Sequence, residues 1–319
     1  MKSAMLNRFI VAVYMVSFFT FLLGPLAVMV VSAFNTPAYP QVWPIEGLTL
    51  EWFQRLASDA EILEGLRTSV IIGIFVVLVS VPVGLAGAIC MTQIFRSARS
   101  FYYFVVVAPV LTPGIVIGIS TVVFWRDFSG LAGLRGLMYD GIVLTVLGQS
   151  SFISSYCMLI IMARLQRFES AQEEAALDLG ASFPQAFRHI LLPFLRPAIL
   201  SAAVLAFLTS FENYNTTTFS ILADKTLTTV LAGRVRLGSS PVISALATII
   251  VMLTLVAALA YELIKRREDR RNARRRKTAI AAEDAELTPG SPRLVPESTN
   301  TTSLRSSPSP RNAIHVSSR

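Results

Sequence analysis

Apolar positions along this chain fall into long unbroken runs rather than amphipathic alternations. Six stand out, at about 9–34, 69–91, 101–124, 142–163, 198–221 and 242–264. Each holds about 20 residues or more, and a helix rising about 1.5 Å per residue needs about 20 to cross a hydrocarbon layer of about 30 Å. Lipid offers no partner for a backbone amide, so such spans must be helices. The pattern predicts an all-α membrane protein with six transmembrane helices. Composition agrees: 53% of the 319 residues are hydrophobic and 15% charged, where a soluble domain carries about 25% charged residues. Mean hydropathy is +0.59. Lys2 and Arg8 precede the first run and Val31-Ser32-Ala33 resembles a cleavage site. The run is nonetheless far longer than the roughly 7–15 apolar residues of a signal peptide, and it is expected to be retained.

Segments between the runs set the organisation: an N-terminus at 1–8, a first helix at 9–34, an amphipathic segment at 35–68, a helical core at 69–264 with a polar loop at 164–196, and a tail at 265–319. Lysines and arginines concentrate on the side that holds the termini and the 164–196 loop, above all in KRREDRRNARRRK at 265–277. The positive-inside rule places both termini and that loop in the cytoplasm. A basic cluster directly after a span reads as a stop-transfer anchor beside anionic lipid, not as a nucleic-acid site. The Ser-, Thr- and Pro-rich sequence from about 280 onward is expected to be disordered. Within 35–68, Trp52, Phe53 and Leu56 are expected to anchor a short helix at the membrane interface. Gly114 and Gly118 form a small-xxx-small pattern that allows close helix approach.

Soluble-enzyme chemistry is nearly absent from the sequence. No Gly-x-x-x-x-Gly-Lys-Ser/Thr phosphate loop occurs, and the two histidines, His189 and His315, stand far apart. Cys90 and Cys157 fall in apolar runs as expected buried thiols, without disulfide or zinc spacing. An intramembrane enzyme would need a catalytic pair, and none is found. A channel would need a ring of polar residues, and only the fifth run hints at one. There Glu212 is the one strong carboxylate well inside a run, within Ser210-Phe211-Glu212-Asn213-Tyr214-Asn215-Thr216-Thr217-Thr218. An ionisable group in a span is costly and faces a cavity or a partner. Glu212, with Asn213, Tyr214 and Asn215, fits either a pathway for a cation, where Tyr214 offers a cation–π face, or a structural bond to another helix.

The remaining anomaly is EEAALDLGASFPQAFRHILLPFLRP at 173–197, a charged element between two apolar runs. Helix formers lead to Gly180, suited to a left-handed helix end. Ser182 and Pro184 then start a second helix, which is expected to stop near Pro193. The order Glu174-Ala175-Ala176, three residues, Gly180, nine residues, Ile190-Leu191-Leu192-Pro193 resembles the cytoplasmic loop of binding-protein-dependent ABC importer permeases, the MetI-like family. In that family the loop supplies coupling helices to a separate ATPase. The resemblance implies a MetI-like permease bundle, with Glu174, Ala175, Ala176, Gly180, Ile190, Leu192 and Pro193 in the coupling loop. It also implies ATPase subunits that bind the ATP, so that this chain needs no cofactor, a second permease (a different chain or a second copy), a periplasmic substrate-binding protein and the bacterial inner membrane. Gly47-Leu48-Thr49-Leu50-Glu51-Trp52-Phe53 and Gly238-Ser239-Ser240-Pro241-Val242-Ile243-Ser244-Ala245-Leu246-Ala247-Thr248-Ile249 look like segments of spermidine/putrescine-type permeases. Similarity extends over about 10–265, and the chain looks like the second permease of such a pair. Putrescine or spermidine is the implied solute. Another small solute, such as an amino-acid derivative, an opine or an aminophosphonate, would suit the same machinery.

Overall fold

The computed structural model describes residues 2–131, 133, 139–238, 240–256, 259–260, 262–263 and 265–267. Most of the basic run at 265–277, and the whole tail expected to be disordered, lie outside the described residues. Residues from Leu255 onward form a second unit, of which few positions are described. Everything below concerns the first unit.

Its elements are α1 (Lys2–Phe34), α2 (Glu51–Ala57), α3 (Ala60–Gln93), α4 (Arg96–Leu111), α5 (Gly114–Leu131), α6 (Gly141–Leu165) and α7 (Ser170–Asp178). They continue with α8 (Phe183–Phe211), α9 (Thr217–Ser220), α10 (Leu227–Leu237) and α11 (Pro241–Val256). Among the described residues there is no strand, only an isolated bridge between Asn35 and Leu48.

Among the described residues, five helices are long and apolar enough to cross a membrane: Met5–Phe34, Ala60–Gln93, Gly114–Leu131, Gly141–Leu165 and Phe183–Phe211. The third run is not one helix, because the chain breaks at Thr112-Pro113. Proline disfavours the helical conformation in the residue before it, and Thr112 is extended at φ −82°, ψ 132°. The fifth run ends early, at Phe211. The sixth is a helix from Pro241 to Val256, and the rest of 242–264 is only partly described. Nor does the loop's second helix stop at Pro193. It passes through a π turn at Phe187–Leu191, where Leu192 N–H bonds to the Phe187 carbonyl, and runs on to Phe211. A proline in an α-helix clashes with the carbonyl four residues back, and the wider turn just before Pro193 relieves that crowding.

The centre of the unit is α3, α6 and α8, packed through Ile72, Val76, Ile153, Met158, Ile161, Leu195 and Ala202. Lipid is as apolar as these side chains, so close packing rather than expulsion of water holds them together, and small residues bring the backbones near. A Cβ built on Gly84 would lie 2.5 Å from Cys157 Cβ and 2.8 Å from the Met158 nitrogen. On Gly73 it would meet the Phe207 ring at 2.9 Å. Cys157 is buried as expected, whereas Cys90 is exposed, on a groove between α3, α4 and α6 that Tyr102 also lines.

A second cluster corrects one expectation. Trp52 and Leu56 are buried with Ala33, Ile62, Leu227, Val230, Val242, Ala245 and Leu246, and Phe53 packs against them. They are core residues, not interfacial anchors, because α10 and α11 cover the face they would otherwise show to the membrane. The Trp52 indole donates to the Asn35 carbonyl at 2.8 Å, and Asn35 Oδ1 accepts from the Thr36 and Glu46 amides. At the same end, Arg234 of α10 bonds Asp59 at 2.5 and 2.8 Å and Glu61 at 2.9 Å, and Lys225 bonds Glu61 at 2.6 Å. The hydrogen bond from Arg234 holds the Asp59 carboxyl below its ordinary range, and Asp59 raises the Arg234 guanidinium in turn. Asp59 also caps α3 through the Ile62 amide. The ion pair thus fixes α10 on the α2–α3 corner.

Candidate functional site

Two groups of residues carry the candidate chemistry, at opposite ends of α8. The first is the polar loop. α7 ends in a Schellman closure: Ala181 N–H bonds to the Ala176 carbonyl at 3.0 Å and Gly180 N–H to the Leu177 carbonyl at 2.9 Å. Gly180 has φ +89°, and a Cβ there would meet nothing within 4 Å. Glycine is therefore needed for the bend, not for space. Gln185 Oε1 accepts from the Ser182 amide at 2.8 Å and from its hydroxyl at 3.0 Å, which fixes the start of α8. Glu174 and Ala175 are exposed, Ala176 is half-buried, and Ile190, Leu192 and Pro193 are half-buried on the α8 side. The corner shows apolar side chains to its surroundings, Leu179 at 89% and Phe183 at 70% exposure. Clustered exposed apolar groups are the kind of surface on which proteins meet partners.

The second group is the break after α8. Glu212 is not inside a helix: it is the C-cap residue of α8, exposed, and among the described residues no ion-pair partner reaches it. Asn213 turns inward. Its Oδ1 accepts from the Thr216 and Thr217 amides at 3.1 and 3.3 Å, so it organises the turn into α9. The Tyr214 hydroxyl accepts from Arg236 at 3.2 Å, and Asn215 is exposed.

Two residues that sequence reasoning missed hold this segment in place. Gln149, buried on α6, donates to Thr217 Oγ1 at 2.8 Å and accepts from the Ser210 hydroxyl at the end of α8. Thr145, one turn away, bonds Ser220 at 3.0 Å. The signal was present: Thr145 and Gln149 stand four apart in an apolar run, on one helix face.

The break lies beside the other interruption. A Cβ on Gly114 would be 3.0 Å from Thr216 Oγ1, and one on Gly118 2.6 Å from the Thr216 carbonyl. The small-xxx-small pair on α5 is thus the seat for 215–219. A Cβ on Gly148 of α6 would also touch Thr216, at 3.3 Å. Gly148 is seven residues into α6, about 10 Å from its Asp140 end at 1.5 Å per residue. Two helix interruptions therefore meet within the depth of a span. Non-helical backbone at such depth is tolerated only inside protein or along a water-filled cavity.

Comparison with known proteins decides the class. Residues 80–270 match the family of binding-protein-dependent transport system inner membrane components. The chain belongs to this family. The permease is 31% identical over 258 residues to the putrescine transport system permease protein PotI of Escherichia coli (strain K12), covering 79% of this chain and 90% of that one. It is 26% identical over 269 residues to the spermidine/putrescine transport system permease protein PotC of the same strain, covering 84% and 98%. A bacterial alginate ABC transporter, solved in complex with an alginate pentasaccharide-bound periplasmic protein, matches with a TM-score of 0.61 at 18% identity over 81% of this chain and 93% of that one. A second structure, of a bacterial ABC transporter involved in import of alginate, gives 0.52 at 14% identity over 83% and 98%. At these identities the structural likeness is one of fold. The protein is a multi-pass membrane permease subunit of an ABC importer.

Proposed function

We propose that the permease moves a small organic polycation of the putrescine and spermidine class inward across the bacterial inner membrane. ATP hydrolysis on a separate subunit drives it through the 170–193 loop. On this reading the termini and the loop lie in the cytoplasm, and the Asp59–Arg234 end faces the periplasm. A periplasmic binding protein delivers the solute, and a second permease completes the pathway along the face where the two helix breaks meet.

The observation that carries the solute class is the placement of Glu212. The C-terminus of a helix already holds about half a negative charge on its free carbonyls. A carboxylate at the α8 C-cap adds to that field instead of offsetting it, and among the described residues no cation answers it. A passing ammonium group would relieve both. The names of the two relatives agree with this class. The docking reading is supported by the rigid bend at Gly180 and the exposed Leu179 and Phe183.

Uptake of labelled putrescine and spermidine, measured with the matching binding protein, tests the solute class. Glu212→Gln should cut uptake while ATPase subunits still co-purify. Undiminished uptake by that variant would remove Glu212 from the pathway.

A further inference from the structure

The loop leaves α6 at Leu165 and rejoins the bundle where the π turn gives way to the straight part of α8. Three side chains meet at that base. The Arg164 guanidinium lies over the Phe194 ring, 4.3 Å from its centroid, and Arg164 Nε donates to the Phe194 carbonyl at 3.4 Å. Phe168, on the chain just leaving α6, sets its ring 5.2 Å from that of Phe194. One contact group therefore joins the end of α6, the outgoing strand of the loop and α8 just past its elbow.

A favourable helix dipole accounts for a cation in the last turn of α6, but a lysine would serve that purpose equally. It does not account for the guanidinium sitting over a ring while donating to that residue's own carbonyl, a pairing that favours arginine. Mechanically, a force on the exposed Leu179–Phe183 corner acts about this base. Were the base open, the force would dissipate in bending at the π turn, where the hydrogen bonding is irregular. With the base closed, α6 and α8 move together. These are the two helices that Gln149 and Ser210 tie together, and Gln149 also holds Thr217 in the segment after Glu212.

We propose that Arg164 is a positioning residue for energy coupling. Its seat on Phe194 closes the base of the loop, so that motion delivered by an ATPase subunit at the corner reaches α6 and α8 as one body. The inference rests on the docking reading above, and its failure can be told apart from the failure of that reading.

The experiment uses the complete transporter in proteoliposomes, with binding protein outside and ATP inside, and measures solute imported per ATP hydrolysed. A contact of this class contributes about 0.5–1 kcal/mol when partly exposed, so Arg164→Ala should lower the ratio by about two- to fivefold. Arg164→Lys keeps the charge but not the guanidinium's paired contacts with the ring and the carbonyl and should fall as far. Phe194→Leu keeps the bulk and should match it, and the double variant Arg164→Lys/Phe194→Leu should be no worse than either single one. ATPase subunits should co-purify normally throughout. A wild-type ratio in Arg164→Lys would reduce the residue to a dipole partner and overturn the proposal. Additive losses in the double variant, or loss of the ATPase subunits from these variants, would overturn it too. If instead Glu174→Lys and Gly180→Ala leave ATPase attachment intact, the docking reading itself fails, whatever Arg164 does.

Discussion

Gly180→Ala isolates a single physical term. The residue holds φ +89° with nothing within 4 Å of a Cβ position, so an alanine meets no neighbour and the whole effect is backbone strain. A left-handed conformation costs an L-residue roughly 1–2 kcal/mol. In the free permease the corner is exposed, and it relaxes to shed that strain, losing the closure from Ala181 N–H to the Ala176 carbonyl. Docking requires the bend again, so the binding equilibrium carries the cost. At about 1.4 kcal/mol per factor of ten, ATPase-subunit affinity should fall about five- to thirtyfold. The assay is titration of ATPase subunit onto the purified, reconstituted permease pair, with melting temperature as a check on the bundle. Gly233→Ala is the control: it too has open space around it, but it sits inside α10 without a positive φ, and its affinity should not change. Equal affinity for wild type and Gly180→Ala would refute the claim that this bend presents the docking surface.

Three further outcomes follow from the packing. Gly84→Ala forces a methyl to 2.5 Å from Cys157 Cβ and against α6 backbone, and should destabilise the α3–α6 contact by about 1–3 kcal/mol, seen as a lower melting temperature in detergent. Gln149→Leu leaves the buried Ser210 hydroxyl without its partner and takes one of two partners from the Thr217 hydroxyl, a loss of about 1–3 kcal/mol. Thr217 also donates to the Asn213 carbonyl at 2.7 Å, so Thr217→Val should still cost stability in that background, by less than it does in the wild type, which a double-mutant cycle measures. Because Arg234 depresses the folded-state pKa of Asp59, the stabilisation it gives is fully present above the unfolded value, about 4, and is lost as pH falls through the folded one. The stability gap between wild type and Asp59→Asn should be full at neutral pH and shrink below about pH 4.

The helical class and the bend of the polar loop were legible because both are written in local terms. Twenty apolar residues in a row admit one spanning structure, and the left-handed bend at Gly180 needs only a glycine at a helix end. The family spacing from Glu174 to Pro193 is local as well. What the sequence hid depends on neighbours in space. Trp52 and Leu56 have the pattern of an interfacial helix, and only the arrival of α10 and α11 buries them. Pro113 and Pro193 look alike as helix stops, yet one breaks its helix and the other is absorbed by a π turn. Glu212 sits in an apolar run, but that run ends at Phe211, and the turn beyond it is shaped by Asn213 from within and by Gln149 from another helix.

The most direct measurement of the central claim is a cross-link from the loop corner in intact membranes. A photoreactive residue at position 179, in place of the exposed Leu179, should capture an ATPase subunit. The same probe in place of Leu222, exposed at the other end of the bundle, should not. Capture at 222 instead, or no ATPase subunit captured at 179, would contradict the account.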